Sequence, residues 1–248
     1  MRHFLIALTM AAAFPVTVMG QEAASSLPET AQAFAQTAEP RPATIFVRIQ
    51  TSDGPIVLEL EEERAPQTVS AFLKNVDGKR YDGGNFYRAL NMAEDFGLIQ
   101  GGIAPLKPGQ KLPPTIPHEP TSQTGLVHRT GTISMARAEP GSARTDFFIT
   151  VGNMSSLDAH PDQPGDNLGF AAFGKVVEGM DVVLKIMRSP ISPTLGEKEG
   201  MKGQMLAAPV IILSARRSLP PKAAPTEAGP GAAEPAAAEP AAAPMVRP

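Results

Sequence analysis

Residues 131–152 read GTISMARAEPGSARTDFFITVG, two strand-like apolar runs joined by a small polar loop. The first run, around Ile133 and Met135, is short. The second begins with Phe147 and Phe148 and ends at Val151. The loop between them holds no cysteine, no histidine and no residue placed as a nucleophile. What chemistry such a segment could support is the question it raises.

Outward from this stretch, the pattern stays that of strands. In ATIFVRIQTSDGPIVLELEE, Ile45, Val47 and Ile49 alternate with polar neighbours, Asp53-Gly54 breaks the run, and Ile56, Leu58 and Leu60 alternate again. Alternation on both sides of a turn dipeptide predicts an antiparallel hairpin. Pro66 then suits a first helical position, and Val69, Phe72, Leu73 and Val76 follow the spacing of one apolar helix face until Asp77-Gly78. A second short helix is expected after Gly179, around Val182, Val183 and Ile186, and APVIILSARR reads as a closing strand. Strands flanking two short helices, with many irregular loops, predict a mostly β fold. The expected form is a closed or nearly closed antiparallel barrel capped by two α-helices.

The ends differ from this middle. Residues 1–20 carry Arg2, then an apolar run closing on Val18 and Gly20, the small-residue pattern of a cleaved secretory signal. Spanning a bilayer takes about 20 predominantly apolar residues, and this run is broken by Thr9, Pro15 and Thr17. Export is therefore expected, to the periplasm or beyond, with no membrane insertion after cleavage. Residues 21–42 read as a linker. Residues 219–248, nearly all Pro, Ala, Glu and Gly, lack the bulky apolar surface needed to offset ordering and read as a disordered tail. That leaves 43–218 as one domain. The chain has no cysteine, so no disulfide framework supports it. The formal net charge is −3 and no basic run stands out, which argues against nucleic acid and anionic membrane as partners.

Four segments, taken in order, resemble the cyclophilin family of peptidyl-prolyl isomerases, in a bacterial exported form. YDGGNFYR (Tyr81–Arg88) is similar to the family's Tyr-x-Gly-x-x-Phe-His-Arg, and IQGG (Ile99–Gly102) to its Gln-Gly-Gly turn. GTISMARAEPGSARTDFFITV resembles Gly-x-x-Ser/Ala-Met-Ala-x-Ala followed by Gln-Phe-Phe-Ile, and FAAFGKVVEGMDVV its Val-Phe-Gly-Lys-Val segment. The resemblance implies an eight-stranded closed antiparallel barrel and catalysis of X–Pro rotation without cofactor or metal. It implies a monomer acting on proline-containing unfolded or partly folded polypeptides. Arg88 and Gln100 take the catalytic positions. Phe148, Leu98, Met135 and Leu157 take the proline socket, and Ala136, Arg137 and Ala138 the edge that pairs with substrate backbone. If Phe147 and Phe148 lie on a strand, they face opposite sides, one towards the core and the other towards the groove.

Several positions depart from the family. Arg88 and Gln100 are twelve residues apart where the family usually spends about eight. Gly97 stands where an aromatic is common, with Phe96 beside it as a substitute. Tyr87 replaces a common His, and Asp146 replaces the Gln before the paired phenylalanines, where it could pair with Arg88 to orient or neutralise it. Phe170 occupies a pocket-side histidine position. Ser156 stands where a tryptophan favours cyclosporin, so weak drug sensitivity is expected. These departures motivate an alternative, a catalytically weak peptide-binding or scaffold module that keeps the groove. A hydrolase is a weaker reading: Ser134 and His128 are close in sequence, but TISMA is no Gly-x-Ser-x-Gly elbow. His118, His128 and His160 lack the paired spacing of metal ligands.

Overall fold

The computed structural model describes residues 43–198 and 200–222; the expected signal and linker, and the tail beyond Lys222, lie outside these. Eight strands run in chain order: β1 (Thr44–Thr51), β2 (Gly54–Glu61), β3 (Asn85–Ala93), β4 (Phe96–Gly102), β5 (Thr132–Met135), β6 (Phe147–Val151), β7 (Ala171–Glu178) and β8 (Met205–Ser218). They close into an antiparallel barrel in the order β1-β2-β7-β5-β6-β4-β3-β8. The expected hairpin is β1–β2, with Ile49 opposite Ile56 and Val47 opposite Leu58, all fully buried. Closure leaves no unpaired sheet edge, so the strands' backbone groups bond one another rather than a second chain.

Among the described residues three α-helices accompany the barrel: α1 (Pro66–Asp77), the single turn α2 (Thr121–Thr124) and α3 (Met180–Met187). The sequence pattern anticipates α1 and α3; α2 is too short to carry a period. Phe72 of α1 packs with Tyr81 at 5.1 Å, Phe173 at 5.2 Å and, edge-on, Phe147 at 5.7 Å. This aromatic cluster is fully buried and joins α1 to the barrel core. Such ring pairs add about 0.5–1.5 kcal/mol each beyond the area they bury. Val183, Ile186 and Met187 of α3 join the same core.

The N-terminus of α1 is capped from far along the chain. Ala65 at the N-cap has no side-chain acceptor, and the buried Glu119 takes over that task. Its carboxylate accepts from the backbone N–H of Gln67 (3.2 Å) and Thr68 (2.8 Å) and from the Thr68 hydroxyl (2.6 Å). A negative charge at the positive end of a helix dipole adds to these bonds.

Glu119→Ala is expected to remove them together and leave two helix donors without an acceptor, that of Thr68 buried. The expected loss of unfolding free energy is about 2–3 kcal/mol, measured as a lower denaturant midpoint at unchanged slope.

Candidate active site

Strand alternation sorts the apolar residues into two groups. Phe86, Ala89, Ile99, Ile133, Met135, Phe147 and Ile149 fill the barrel. Leu98, Phe148 and Met154 form a separate cluster outside it, against Leu90, Phe96, Ala136, Leu157 and Phe170. Phe147 and Phe148 therefore divide as expected, the first towards the core and the second towards the groove. Met135 departs from its expected socket position. It lies opposite Phe147 on the neighbouring strand, so it shares that residue's inward face.

Around the outer cluster lies an open cavity of about 360 Å³. Arg88, Gln100, Phe96, Leu98, Phe148, Leu157, Phe170, Ala136 and Arg137 all line it. The Phe170 ring stands edge-on to Phe148 at 5.3 Å, and the Arg137 guanidinium lies 5.1 Å over the Phe170 ring. Arg137 is held there by both oxygens of Asp166, at 2.7 and 3.0 Å, and by the Gly169 carbonyl at 2.8 Å. It is a fixed part of the wall. Leu90, Met92, Met154 and Met201 line the cavity as well, and nothing in the sequence pattern singles them out. Leu90 and Met92 come from the lengthened β3–β4 hairpin, so the extra residues build a wall and leave the cavity open. Gly97 makes that hairpin possible, since a Cβ there would collide with the Leu90 carbonyl.

Arg88 reaches the cavity because of a bulge. The register opposite β4 passes from Phe86–Gly101 to Arg88–Gln100, leaving Tyr87 without a partner. Strict alternation would put Arg88 on the same face as Phe86, inside the barrel. The extra residue shifts the parity, so Tyr87 and Arg88 both face outwards and Ala89 turns back into the core.

The guanidinium is held between two amide oxygens. Its Nη1 donates to Gln100 Oε1 at 2.7 Å, and its Nε donates to Gln204 Oε1 at 2.8 Å, with Nη2 sharing the Gln204 oxygen. Three of the five N–H groups are thereby used and two remain for a ligand. Gln204 comes from the irregular segment before β8, which carries no motif or period. Burial lowers the pKa of Arg88 from its usual value, yet a guanidinium stays cationic at neutral pH.

Asp146, expected to meet Arg88, instead accepts the Tyr87 hydroxyl at 2.7 Å and does not line the cavity. The Tyr87 oxygen in turn accepts from Gln100 Nε2 at 2.7 Å. A single hydrogen-bonded chain thus runs from Arg88 through Gln100 and Tyr87 to Asp146. It fixes the Gln100 amide with its oxygen towards the guanidinium, and each bond polarises the next. Burial and the neighbouring Asp146 charge raise the Tyr87 pKa, so the hydroxyl keeps the proton it donates. Gly102 leaves room for the carboxylate, because a Cβ there would collide with Asp146.

Ala138 is the other expectation the geometry alters. Its N–H donates to Ser142 Oγ at 3.1 Å and its carbonyl accepts from Arg137 Nη1 at 3.0 Å. Ala138 lies outside the cavity lining. The backbone N–H and C=O of Arg137 have no partner among the described residues.

Behind Phe148 the fully buried ring of His128 stacks at 5.8 Å, with 15° between planes. Its Nδ1–H donates to Asp158 Oδ1 at 2.6 Å, so Nε2 is the acceptor for the Ser134 hydroxyl at 3.0 Å. These three residues have the connectivity of a nucleophilic triad, but Ser134 is completely buried and no substrate can touch it.

The comparisons with known proteins agree with this geometry. The family model "Cyclophilin type peptidyl-prolyl cis-trans isomerase/CLD" matches residues 46–216. The chain belongs to the cyclophilin family. It is 35% identical over 171 residues to the peptidyl-prolyl cis-trans isomerase cyp18 of Streptomyces antibioticus, covering 68% of this chain and 96% of that one. It is 34% identical over 192 residues to peptidyl-prolyl cis-trans isomerase A of Dickeya dadantii (strain 3937), covering 77% and 91%. A cyclophilin-type isomerase of Cryptosporidium parvum, solved by crystallography, superposes with a TM-score of 0.55 at 21% identity, covering 72% of this chain and all of that one. A second crystal structure of that cyclophilin, in the presence of the dipeptide ala-pro, gives a TM-score of 0.54 at 21% identity, covering 71% and 99%. The cyclophilin domain and the relatives' names identify the chain as a peptidyl-prolyl cis-trans isomerase.

Two outcomes are expected of these contacts. Tyr87→Phe keeps the ring but breaks the chain at Gln100, and should lower kcat several-fold, about 1 kcal/mol, with KM little changed. His128 supplies a pH effect. Burial holds its pKa below the usual 6.5 despite the opposing pull of Asp158. The unfolded chain therefore takes up the proton first: stability is full above pH 6.5 and declines as pH falls towards the lower native value. Thermal unfolding followed between about pH 7 and about pH 5 should show a falling midpoint, with a smaller fall in His128→Gln.

Proposed function

We propose that this isomerase accelerates X–Pro rotation during the folding of exported proteins, with Arg88 as the donor that favours the twisted amide. The observation that carries the mechanism is that Arg88, held by Gln100 and Gln204, opens onto the same cavity as Phe148, Leu98 and Leu157. Rotation meets a barrier of about 18–20 kcal/mol because the planar amide loses its resonance on the way. In the twisted state the prolyl nitrogen regains a lone pair. A fixed cation with spare N–H groups stabilises that state more than the planar one.

Magnitudes divide the work. A thousand-fold acceleration requires about 4 kcal/mol. One hydrogen bond to a charged group contributes roughly 1.5–3 kcal/mol. The rest falls to the socket, where burying three ring methylenes of a proline contributes about 2 kcal/mol. Part of that reaches the transition state if the ring is gripped while the chain before it swings. Backbone pairing at Arg137 holds the chain itself. Proline-containing unfolded or partly folded polypeptides fit these demands, in line with the ala-pro dipeptide used with the Cryptosporidium parvum relative.

The export part of this reading rests on residues 1–20, whose Arg2, apolar run and small terminal residues support a cleaved signal and a periplasmic or secreted location. Of the three features that motivate the scaffold alternative, the longer loop, Gly97 and Asp146, the last no longer supports it, because Asp146 binds Tyr87 rather than Arg88.

A short X–Pro peptide followed from cis to trans tests the mechanism. Arg88→Ala should lower kcat/KM by roughly 100-fold, about 2.7 kcal/mol, while still binding the peptide within a few-fold of wild type. An Arg88→Ala rate within twofold of wild type would overturn the role assigned to Arg88.

A further inference from the structure

Away from the groove, two cavities of about 510 and 390 Å³ adjoin through Arg80, which lines both. Lys74 and Arg144 line the first, and Lys79, Lys107 and Lys111 the second. Six cations thus meet on one face, although they are scattered from position 74 to 144 and form no run in the sequence. None of the six belongs to an ion pair among the described residues, where nine pairs engage other Lys or Arg side chains. The one carboxylate lining either cavity, Asp82, is taken by both terminal nitrogens of Arg216, at 2.7 and 2.6 Å. The nearby Glu119 is buried and occupied by the start of α1. Arg144 donates to the Pro113 carbonyl, and the Asp82 pKa, lowered chiefly by the hydrogen bond from Arg216, is lowered further by Lys79. No carboxylate among the described residues is ion-paired with any of the six, which leaves a local positive field in a chain of net charge −3.

We infer that this face is a second binding site, taking a carboxylate-rich polypeptide segment in extended form. Between the cations of the larger cavity, apolar Ala71, Ile116 and the prolines 66, 113, 114 and 117 alternate with the neutral polar Gln67, Ser70, Asn75 and Thr115. An extended chain that alternates acidic and small apolar side chains fits such a cleft, its backbone groups meeting the polar side chains there. No aromatic residue lines either cavity, so bases have nothing to stack on, and a flat bilayer reaches only groups that protrude. The site also lies within reach of the groove. Arg144 is four residues before Phe148, at most about 14 Å along an extended chain. One polypeptide could therefore occupy both, a link that rests on the isomerase reading; the binding itself does not.

The experiment titrates a fluorescent, proline-free peptide of alternating Glu and Ala into the full chain and follows anisotropy. Expected is saturable binding that weakens steeply between about 50 mM and about 500 mM salt. Lys74→Glu combined with Arg80→Glu should weaken it by about tenfold or more, while turnover of a neutral X–Pro peptide stays as in wild type. Lys107→Ser with Lys111→Ser, in an exposed loop, repeats the test where the first variant fails to fold. Equal affinity in wild type and variants, or tighter binding of anionic vesicles or a DNA oligomer than of the peptide, would overturn the proposal. Loss of turnover with peptide binding intact would count against the isomerase reading alone.

Discussion

The parity of β3 is the constraint on which the groove depends. A closed barrel gives every strand residue one of two fates, and Phe86 and Ala89 both belong inside. They are three apart, an odd spacing that a regular strand cannot place on one face. The unpaired Tyr87 absorbs the difference. Without it, a guanidinium two residues after Phe86 would enter an apolar interior that holds no counter-charge, at a cost of several kcal/mol. The bulge therefore protects the core and equips the groove in one step. It also sets Tyr87 beside Arg88, where its hydroxyl can connect Gln100 to Asp146.

Asp146 and Tyr87 make sense only together. Each is a departure from the common family pattern, and each alone would be hard to place: a phenol without an acceptor, or a carboxylate close to the groove's arginine. Joined at 2.7 Å, they turn two polar substitutions into a support for the Gln100 amide. The carboxylate is bonded to Tyr87 and makes no hydrogen bond to Arg88, so two of the guanidinium's N–H groups stay free.

Much of this was legible in the residues because two periods, near 2 and near 3.6, sort apolar side chains without knowledge of the fold. The β1–β2 hairpin, the buried face of α1 and the split of Phe147 from Phe148 all follow from them. What escaped depends on pairing between distant strands. Met135 lies inside because Phe147 is its cross-strand partner, a register no single strand encodes. Asp146 misses Arg88 because a bulge lies between. Gln204 arrives from a loop without a repeat, and the six-cation face gathers residues that are far apart in sequence. Motifs located Arg88, Gln100 and Phe148; the contacts that orient them came from topology.

Ser134, His128 and Asp158 show how burial decides what a constellation does. The distances, 3.0 and 2.6 Å, would suit acyl transfer at an exposed site. Here the hydroxyl has no access to solvent, and the imidazole's stacking neighbour is Phe148, the floor of the socket. Fixing both ring nitrogens leaves the imidazole one orientation, and a ring so held gives Phe148 a rigid backing. That rigidity matters for a reaction without covalent chemistry. Only the difference in fit between planar and twisted amide lowers the barrier, and a floor that yielded to both would favour neither.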